Sequence, residues 1–207
     1  MVEVVIKGIG LGLLIAVLVG PVFFLLIQTS IHKGFLQALY LALGISASDA
    51  TYIVLVYSGF AQFTGDPTIT RYMGLAGGAL LVVFGTVILF KKAPENKEID
   101  IKLPNKDRLK YFIKGYTLNF INPSVCLFWI GSVSVVSAQY EQNDNFIYAF
   151  FIATVATVFF TDMLKIYLSK KLSKILNPVV LKTVSSVSGL LMIGYGVKLI
   201  IEKWSIS

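Results

Sequence analysis

Six apolar segments, each about long enough to cross a bilayer, most constrain the fold of this 207-residue chain. Segments 1 to 6 cover residues 4–29, 35–60, 72–90, 111–138, 146–168 and 183–201. A membrane-spanning helix needs about 20 apolar residues, whereas barrel strands alternate in hydropathy over about ten residues. Only helices and closed barrels satisfy the backbone in lipid. The sequence therefore predicts an all-α integral membrane protein, with six transmembrane helices in a single domain over residues 1–207.

Composition narrows the class of protein further. Hydrophobic residues make up 56% of the chain and charged residues 14%, against about 45–50% and about 25% in soluble domains. A soluble fold and a disordered chain are both excluded, because so many apolar side chains cannot stay solvated. The single Cys and single His allow neither an intrachain disulfide nor a Cys/His zinc site. We therefore expect no cofactor and no metal, and without a clustered nucleophile and base we expect no enzyme.

Lysine and arginine residues predict the orientation of the helices. The loops after segments 1, 3 and 5 are basic, above all residues 91–110, whereas the opposite side carries Arg71, Lys203 and little else. Because basic loops face the cytoplasm, we expect a multi-pass protein of the cytoplasmic (inner) membrane with both termini outside. The net charge of +7 is then a topology signal, and no nucleic-acid partner is expected. If segment 4 were re-entrant, every later assignment would reverse.

The two halves of the chain carry similar features in the same order. Segments 3 and 6 can be aligned so that Gly78 matches Gly189 and Gly85 matches Gly196. Segments 1 and 4 each contain a proline, and segments 2 and 5 each contain one acidic residue. The pattern predicts two inverted three-helix repeats, about residues 1–92 and 111–207, as in many secondary transporters. The alternative is chance similarity between glycine-rich apolar segments.

Pro21, preceded by Gly20, and Pro123, preceded by Asn122, interrupt segments 1 and 4. Proline removes the hydrogen bond to the carbonyl four residues earlier, so we expect helices 1 and 4 to be broken there, with the carbonyls of Val17 and Asn119 freed. The amides of Asn119 and Asn122 could add polar groups to a small-molecule site. The alternative is a kink used only for packing.

Asp49 lies deep in segment 2. A charged side chain at the centre of a membrane costs roughly 2.5–3.5 kcal/mol on insertion scales. Such a cost indicates a function, either to bind and release a proton or to hold a substrate ammonium group. The alternative is a structural aspartate hydrogen-bonded to Ser46, Ser48 or another helix.

Asp162 and Lys165 lie three residues apart in segment 5 and could pair on one helix face. A stripe of threonines leads to them, formed by Thr154, Thr157 and Thr161. This stripe could line a substrate pathway, or it could form interhelical hydrogen bonds, and Lys165 could simply reach the interface.

Small residues recur every four positions on segment 1, including Gly8 and Gly12, and on segment 2, including Ala38 and Ala42. Such faces let helices approach closely, and we expect segment 1 to pack against segment 2 or a partner. Gly74 and Gly78 form a G-x-x-x-G pair that could serve a homodimer. The two tryptophans, 129 and 204, fit membrane-interface positions, although the first could lie deeper.

Two stretches of the sequence resemble signatures of the lysine exporter (LysE/RhtB) translocator family. VGPVFFLLIQTSIHKGFLQALYLALGISASDA is similar to its P-G-P and G-x-x-x-G-D motifs, with a valine in place of the first proline and a serine before the aspartate. KGYTLNFINPSVCLFWIG is similar to its Asn-x-x-Asn-Pro motif. The resemblance implies proton-driven export of amino acids or related metabolites. It assigns the functional positions to Gly20, Pro21, Asp49, Asn119, Asn122 and Pro123.

Together these features predict a secondary transporter that exports an amino acid or related small metabolite in exchange for protons. Its partners would be the substrate, protons and the lipid bilayer. The substrate and proton pathway would comprise the six positions above together with Asp162 and Lys165. The alternative is an exporter of a metal or other inorganic ion, which would need several intramembrane Asp, Glu, His or Cys ligands.

Overall fold

A computed structural model describes residues 1–17, 21–61, 67–90, 107–140, 143–175 and 178–204. All regular secondary structure within these residues is α-helical, as predicted. The helices are α1 (Val2–Val17), α2 (Pro21–Lys33), α3 (Phe35–Ala61), α4 (Pro67–Phe90), α5 (Arg108–Phe120), α6 (Pro123–Tyr140), α7 (Asp144–Tyr167), α8 (Ser169–Ile175) and α9 (Pro178–Trp204). Gly20 and most of the basic loop, residues 91–106, lie outside the described residues.

Several of these helices are long and apolar enough to cross a membrane. Helices α3, α7 and α9 each meet this requirement alone. The pairs α1/α2 and α5/α6 meet it together and are bent by 73° and 69°, so the described residues contain three to five candidate spans. Helix α4 has a shorter apolar stretch, Gly74–Phe90. Large apolar side chains point outward on these helices, for example Val54, Ile152 and Phe160, as expected of a multi-pass membrane protein.

Local sequence explains where the helices begin and end. Helix α2 is followed by Gly34 at φ +100°, a conformation that glycine adopts at little cost. Helix α5 begins after Asp107, whose side chain accepts a hydrogen bond from the backbone N–H of Lys110. A second hydrogen bond from the Lys110 ammonium lowers the pKa of the Asp107 carboxyl below its usual range.

Two pairs of helices are in backbone contact through glycine. A Cβ placed on Gly44 of α3 would lie 2.0 Å from the Phe112 carbonyl oxygen of α5, and one on Gly115 of α5 would lie 2.2 Å from the Leu41 carbonyl oxygen. Likewise, Gly8 and Gly12 of α1 lie directly against α7. The small face of segment 1 therefore packs on segment 5, and the expectation that it packs on segment 2 is wrong. Hydropathy and residue size show which face is small, but not which helix meets it.

Helices α4 and α9 form a third close pair, and they run antiparallel. Gly78 lies against the carbonyl of Gly196, and Gly85 lies against the carbonyl of Gly189. Gly78 is thus covered by a helix of its own chain. Of the G-x-x-x-G pair, Gly78 at least is therefore engaged within the chain, and a homodimer through this face stays a prediction.

Helix α3 contributes to both of the apolar clusters formed by the described residues. Its first half, with Leu41 and Ile45, belongs to a cluster shared with α2, α5 and α7. Its second half, with Tyr52, belongs to a larger cluster around Trp129 of α6. Asp49 lies along α3 between the residues that belong to the two clusters.

Candidate functional site

Asp49 is held at the meeting point of α3, α5 and α6. Its Oδ1 accepts a hydrogen bond of 2.8 Å from Asn119 Nδ2 and one of 2.9 Å from Trp129 Nε1. The three residues are 5%, 4% and 1% exposed. The structure thus brings together two of the predicted site residues, Asp49 and Asn119, and adds a third that the sequence did not indicate. Among the described residues, both hydrogen-bond partners of Asp49 are neutral.

Asn119 connects α5 to α3 at several points. Besides Asp49, its Nδ2 lies 3.3 Å from Ser48 Oγ and 3.4 Å from the carbonyl oxygen of Ile45. Because one amide contacts both backbone and side chains of α3, it sets the register between the two helices. The glycine contacts at Gly44 and Gly115 bring α5 close enough for these hydrogen bonds to form.

Asp162 and Lys165 form a partly buried ion pair on α7, as their spacing predicts. Lys165 Nζ lies 2.8 Å from Asp162 Oδ1, and the same ammonium lies 5.6 Å from the centre of the Phe23 ring on α2. Helix α7 therefore carries a buried carboxyl group, Asp162, whose charge is balanced by the neighbouring ammonium of Lys165.

Asn122 and Pro123 lie at the start of α6 and have a local role. Asn122 Oδ1 accepts a hydrogen bond of 3.0 Å from the backbone N–H of Ser124. Asn122 is thus the N-cap of α6, and proline at the next position needs no hydrogen-bond partner there. The side chain of Asn122 is used at this helix end and does not join the Asp49 cluster.

The backbone carbonyls between α5 and α6 have partners within the chain. The Asn119 carbonyl accepts a hydrogen bond of 3.2 Å from the N–H of Asn122. The Phe120 carbonyl accepts one from the hydroxyl of Tyr52, whose ring stacks on that of Phe120. The expectation that the Asn119 carbonyl is left free is therefore wrong, because the chain turns between the helices and closes its own hydrogen bond. The matching carbonyl on Val17 borders residues 18–20, which are not described.

The threonine stripe of α7 contributes to packing. The Thr154 hydroxyl lies 3.0 Å from the Gly8 carbonyl oxygen of α1 and 2.8 Å from that of Phe150. Thr157 and Thr161 donate to carbonyls of their own helix. Thr154 therefore forms the expected interhelical hydrogen bond, whereas the hydrogen bonds that Thr157 and Thr161 donate stay within α7.

Trp129 is the main site residue that the sequence analysis missed. Its amphipathic ring suggested the membrane interface, yet it is buried, whereas Trp204 is 69% exposed. The available signal was its place inside an apolar segment, away from the charged residues that flank the segment. Among the described residues, no group of three or more His, Cys, Asp or Glu side chains is placed to bind a metal ion.

Comparison with known proteins adds an independent observation. The family model described as "LysE type translocator" matches residues 13–203. A protein of Bacillus subtilis (strain 168), described as "Putative amino acid efflux protein YcgF", is 29% identical over 143 residues, which cover 67% of this chain and 68% of that protein. No solved structure matches the chain significantly.

Proposed function

The chain belongs to the LysE type translocator family, and on this premise we propose that it exports an amino acid or related small metabolite across the cytoplasmic membrane in exchange for protons. The family is one of transporters, and the Bacillus subtilis relative is described as an amino acid efflux protein.

The observation that carries the proposal is the buried carboxyl group of Asp49 with only neutral donors around it. Two neutral hydrogen bonds lower the cost of burying the charge but do not cancel it. The fixed ammonium of Lys165 is already paired with Asp162. A proton or a substrate ammonium group would neutralise Asp49, and only one of them at a time. Competition for one carboxyl group is a simple basis for exchanging a proton for a substrate.

The directions of the helices support six crossings. Helices α1 and α7 run parallel, because Gly8 faces Phe150 and Gly12, further along, faces Thr157. Helices α4 and α9 run antiparallel. Six alternating crossings make segments 1 and 5 parallel and segments 3 and 6 antiparallel, whereas a re-entrant segment 4 would reverse both relations. In this proposal each bent pair is one interrupted span, and both termini lie outside the cell.

The glycine contacts also support two inverted repeats. In the sequence alignment of the repeats, Gly78 is equivalent to Gly189, and Gly85 is equivalent to Gly196. An exchange of the two repeats therefore maps the contact between Gly78 and Gly196 onto the contact between Gly189 and Gly85, and the structure has both contacts. In the same way, the contact of α1 with α7 corresponds to that of α5 with α3. Transport would then proceed by rocking one repeat against the other, which exposes the site to each side in turn.

The two aspartates do not correspond in this symmetry. Gly8 of α1 contacts Phe150 of α7, and Gly115 of α5 contacts Leu41 of α3 in the same way, so the symmetry makes Leu41 equivalent to Phe150. Asp49 lies eight residues after Leu41. The residue eight positions after Phe150 is Val158, so Asp162 lies about one turn further along its helix. In the proposal, Asp49 therefore exchanges the proton, and Asp162 holds Lys165.

The proposed function is tested by metabolite release from cells that express the chain. We expect one class of amino acid or related metabolite to accumulate in the medium and fall in the cytoplasm, relative to cells with an empty vector. A proton ionophore should abolish this difference. Mass spectrometry of both compartments measures it, with membrane expression checked by immunoblot. An unchanged metabolite profile from well-expressed protein would reject amino-acid export.

The Asp162–Lys165 pair provides a prediction about stability. Asp162→Asn leaves the ammonium of Lys165, whose side chain is 16% exposed, without its counter-charge. Breaking a fully buried pair costs about 3–5 kcal/mol, and the partial exposure of Lys165 lowers that cost. We expect the melting temperature of Asp162→Asn in detergent to be well below that of wild type. The double variant Asp162→Asn/Lys165→Met should recover most of this decrease in melting temperature. If the double variant melts as low as the single one, the two residues do not stabilise the fold as a pair.

A further inference from the structure

Trp129 links the proposed proton site to two other helices. It belongs to α6, its N–H reaches Asp49 on α3, and its ring contacts Phe151 of α7 with the ring centres 6.1 Å apart. A buried indole N–H needs an acceptor. Here the acceptor is the carboxyl group that would change charge during transport, so the indole lies where it can respond to that change.

Both donors to Asp49 use the same oxygen. Asn119 and Trp129 each donate to Oδ1, and no described residue donates to Oδ2. A hydrogen bond to an ionised carboxylate is shorter and stronger than one to a neutral carboxyl group. The two donors therefore orient the group through one oxygen and leave the other oxygen for a ligand.

We propose that Trp129 is a positioning residue, which fixes Oδ1 of Asp49 so that Oδ2 receives the proton or the ammonium group of the substrate. This inference rests on the proposed exchange at Asp49. In the cycle, a proton from the outside binds Oδ2, and the hydrogen bond from Trp129 weakens as the charge disappears. Loss of that proton to the cytoplasm restores the charge and the full hydrogen bond.

Other groups near Asp49 contribute to its environment. Helix α5 presents the neutral amide of Asn119, and α2 presents the Phe23 ring to Lys165. The titratable and charged groups linked to Asp49 or to its contacts are Tyr52 on α3, Tyr116 on α5, Cys126 on α6, and Asp162 with Lys165 on α7. The same helices carry others further along, including Tyr40, Tyr57, Tyr111 and Lys114. Variants at Trp129 leave all of these titratable side chains in the chain, so a change in the pH dependence reports the loss of the indole hydrogen bond or of the ring packing.

The chain contains two tryptophans, which makes the proposal directly measurable. Trp204 is exposed at the end of α9, so Trp204→Phe leaves Trp129 as the single tryptophan, which can be excited selectively over the tyrosines. We expect the emission of this protein in lipid nanodiscs to change in one step with pH, at the midpoint seen for export. Asp49→Asn should remove that step. A step that persists in Asp49→Asn, or its absence when Asp49 is present, would overturn the proposal.

A second measurement separates the hydrogen bond from the packing of the ring. In a tryptophan-requiring host, the Trp204→Phe protein can be made with benzothienylalanine at position 129, where sulfur replaces the N–H and the shape is kept. We expect the pH midpoint of export to rise by about 1 unit, because a hydrogen bond that favours the charged form is lost. Trp129→Phe should shift it in the same direction. An unchanged midpoint with the analogue contradicts the proposed role.

These two measurements distinguish failure of the Trp129 proposal from failure of the proposed transport function. Emission is recorded without any substrate, so a step that depends on Asp49 would support the Trp129 contact even if no metabolite were exported. Conversely, if export depends on Asp49 but the pH dependence of the emission does not, the proposed transport function stands and the proposed role of Trp129 is wrong.

Discussion

Replacing Asp49 by asparagine is expected to reduce proton-driven export about 10- to 100-fold and to remove its dependence on the pH gradient. The amide has nearly the same shape, but it cannot carry a proton through the cycle and cannot pair with an ammonium group. The hydrogen bond lost here is the one between the carboxylate and the ammonium group of the substrate. A hydrogen bond to a charged group contributes about 1.5–3 kcal/mol, and each 1.4 kcal/mol changes an equilibrium constant about tenfold. Proteoliposomes loaded with the exported compound, with a pH gradient imposed across them, measure the rate.

The matched control for this experiment is Asp107→Asn. Asp107 is a carboxylate outside the spans, and asparagine is an equally good N-cap for α5. This variant should transport like wild type at every pH gradient. If Asp49→Asn does so as well, at equal amounts of reconstituted protein, then Asp49 does not carry the proton.

Replacing Gly44 by alanine is expected to have the largest effect on stability. The added Cβ would lie 2.0 Å from the Phe112 carbonyl oxygen and 2.8 Å from the Tyr116 backbone nitrogen. Both contacts are with backbone, so relief requires α3 and α5 to separate, which also pulls Asn119 away from Asp49. Overpacking typically costs about 1–3 kcal/mol and occasionally more, and we expect about 3 kcal/mol or more here. The melting temperature in detergent measures the effect.

Gly10→Ala on α1 makes the same chemical change without a clash. An added Cβ on Gly10 has no atom of another helix within 4 Å, and alanine favours a helix over glycine by about 1 kcal/mol. This variant should melt at or slightly above the wild-type temperature. Equal melting of the Gly10 and Gly44 variants would mean that α3 and α5 are not in backbone contact.

Much of this protein was predictable from local chemistry. The free energy of transferring a side chain from water to lipid depends mainly on that residue and its near neighbours. The apolar segments alone therefore predict an all-helical membrane protein. The spacing of Asp162 and Lys165 predicts their ion pair, because residues three apart share a helix face. The resemblance carried by the Asn-Pro motif of segment 4 is confirmed by the match to the family over residues 13–203.

The partners of these residues depended on which helices meet, and the sequence does not state this. The glycines of α1 could have faced several helices, and only the tertiary structure places α7 against them. Trp129 looks like an interface residue until α6 is packed on α3, where its N–H meets Asp49. Asn119 and Asn122 look equivalent in sequence, yet one reaches across to α3 and the other caps its own helix. The sequence by itself thus determined the helices and their polar residues, whereas long-range packing determined which of those residues form one site.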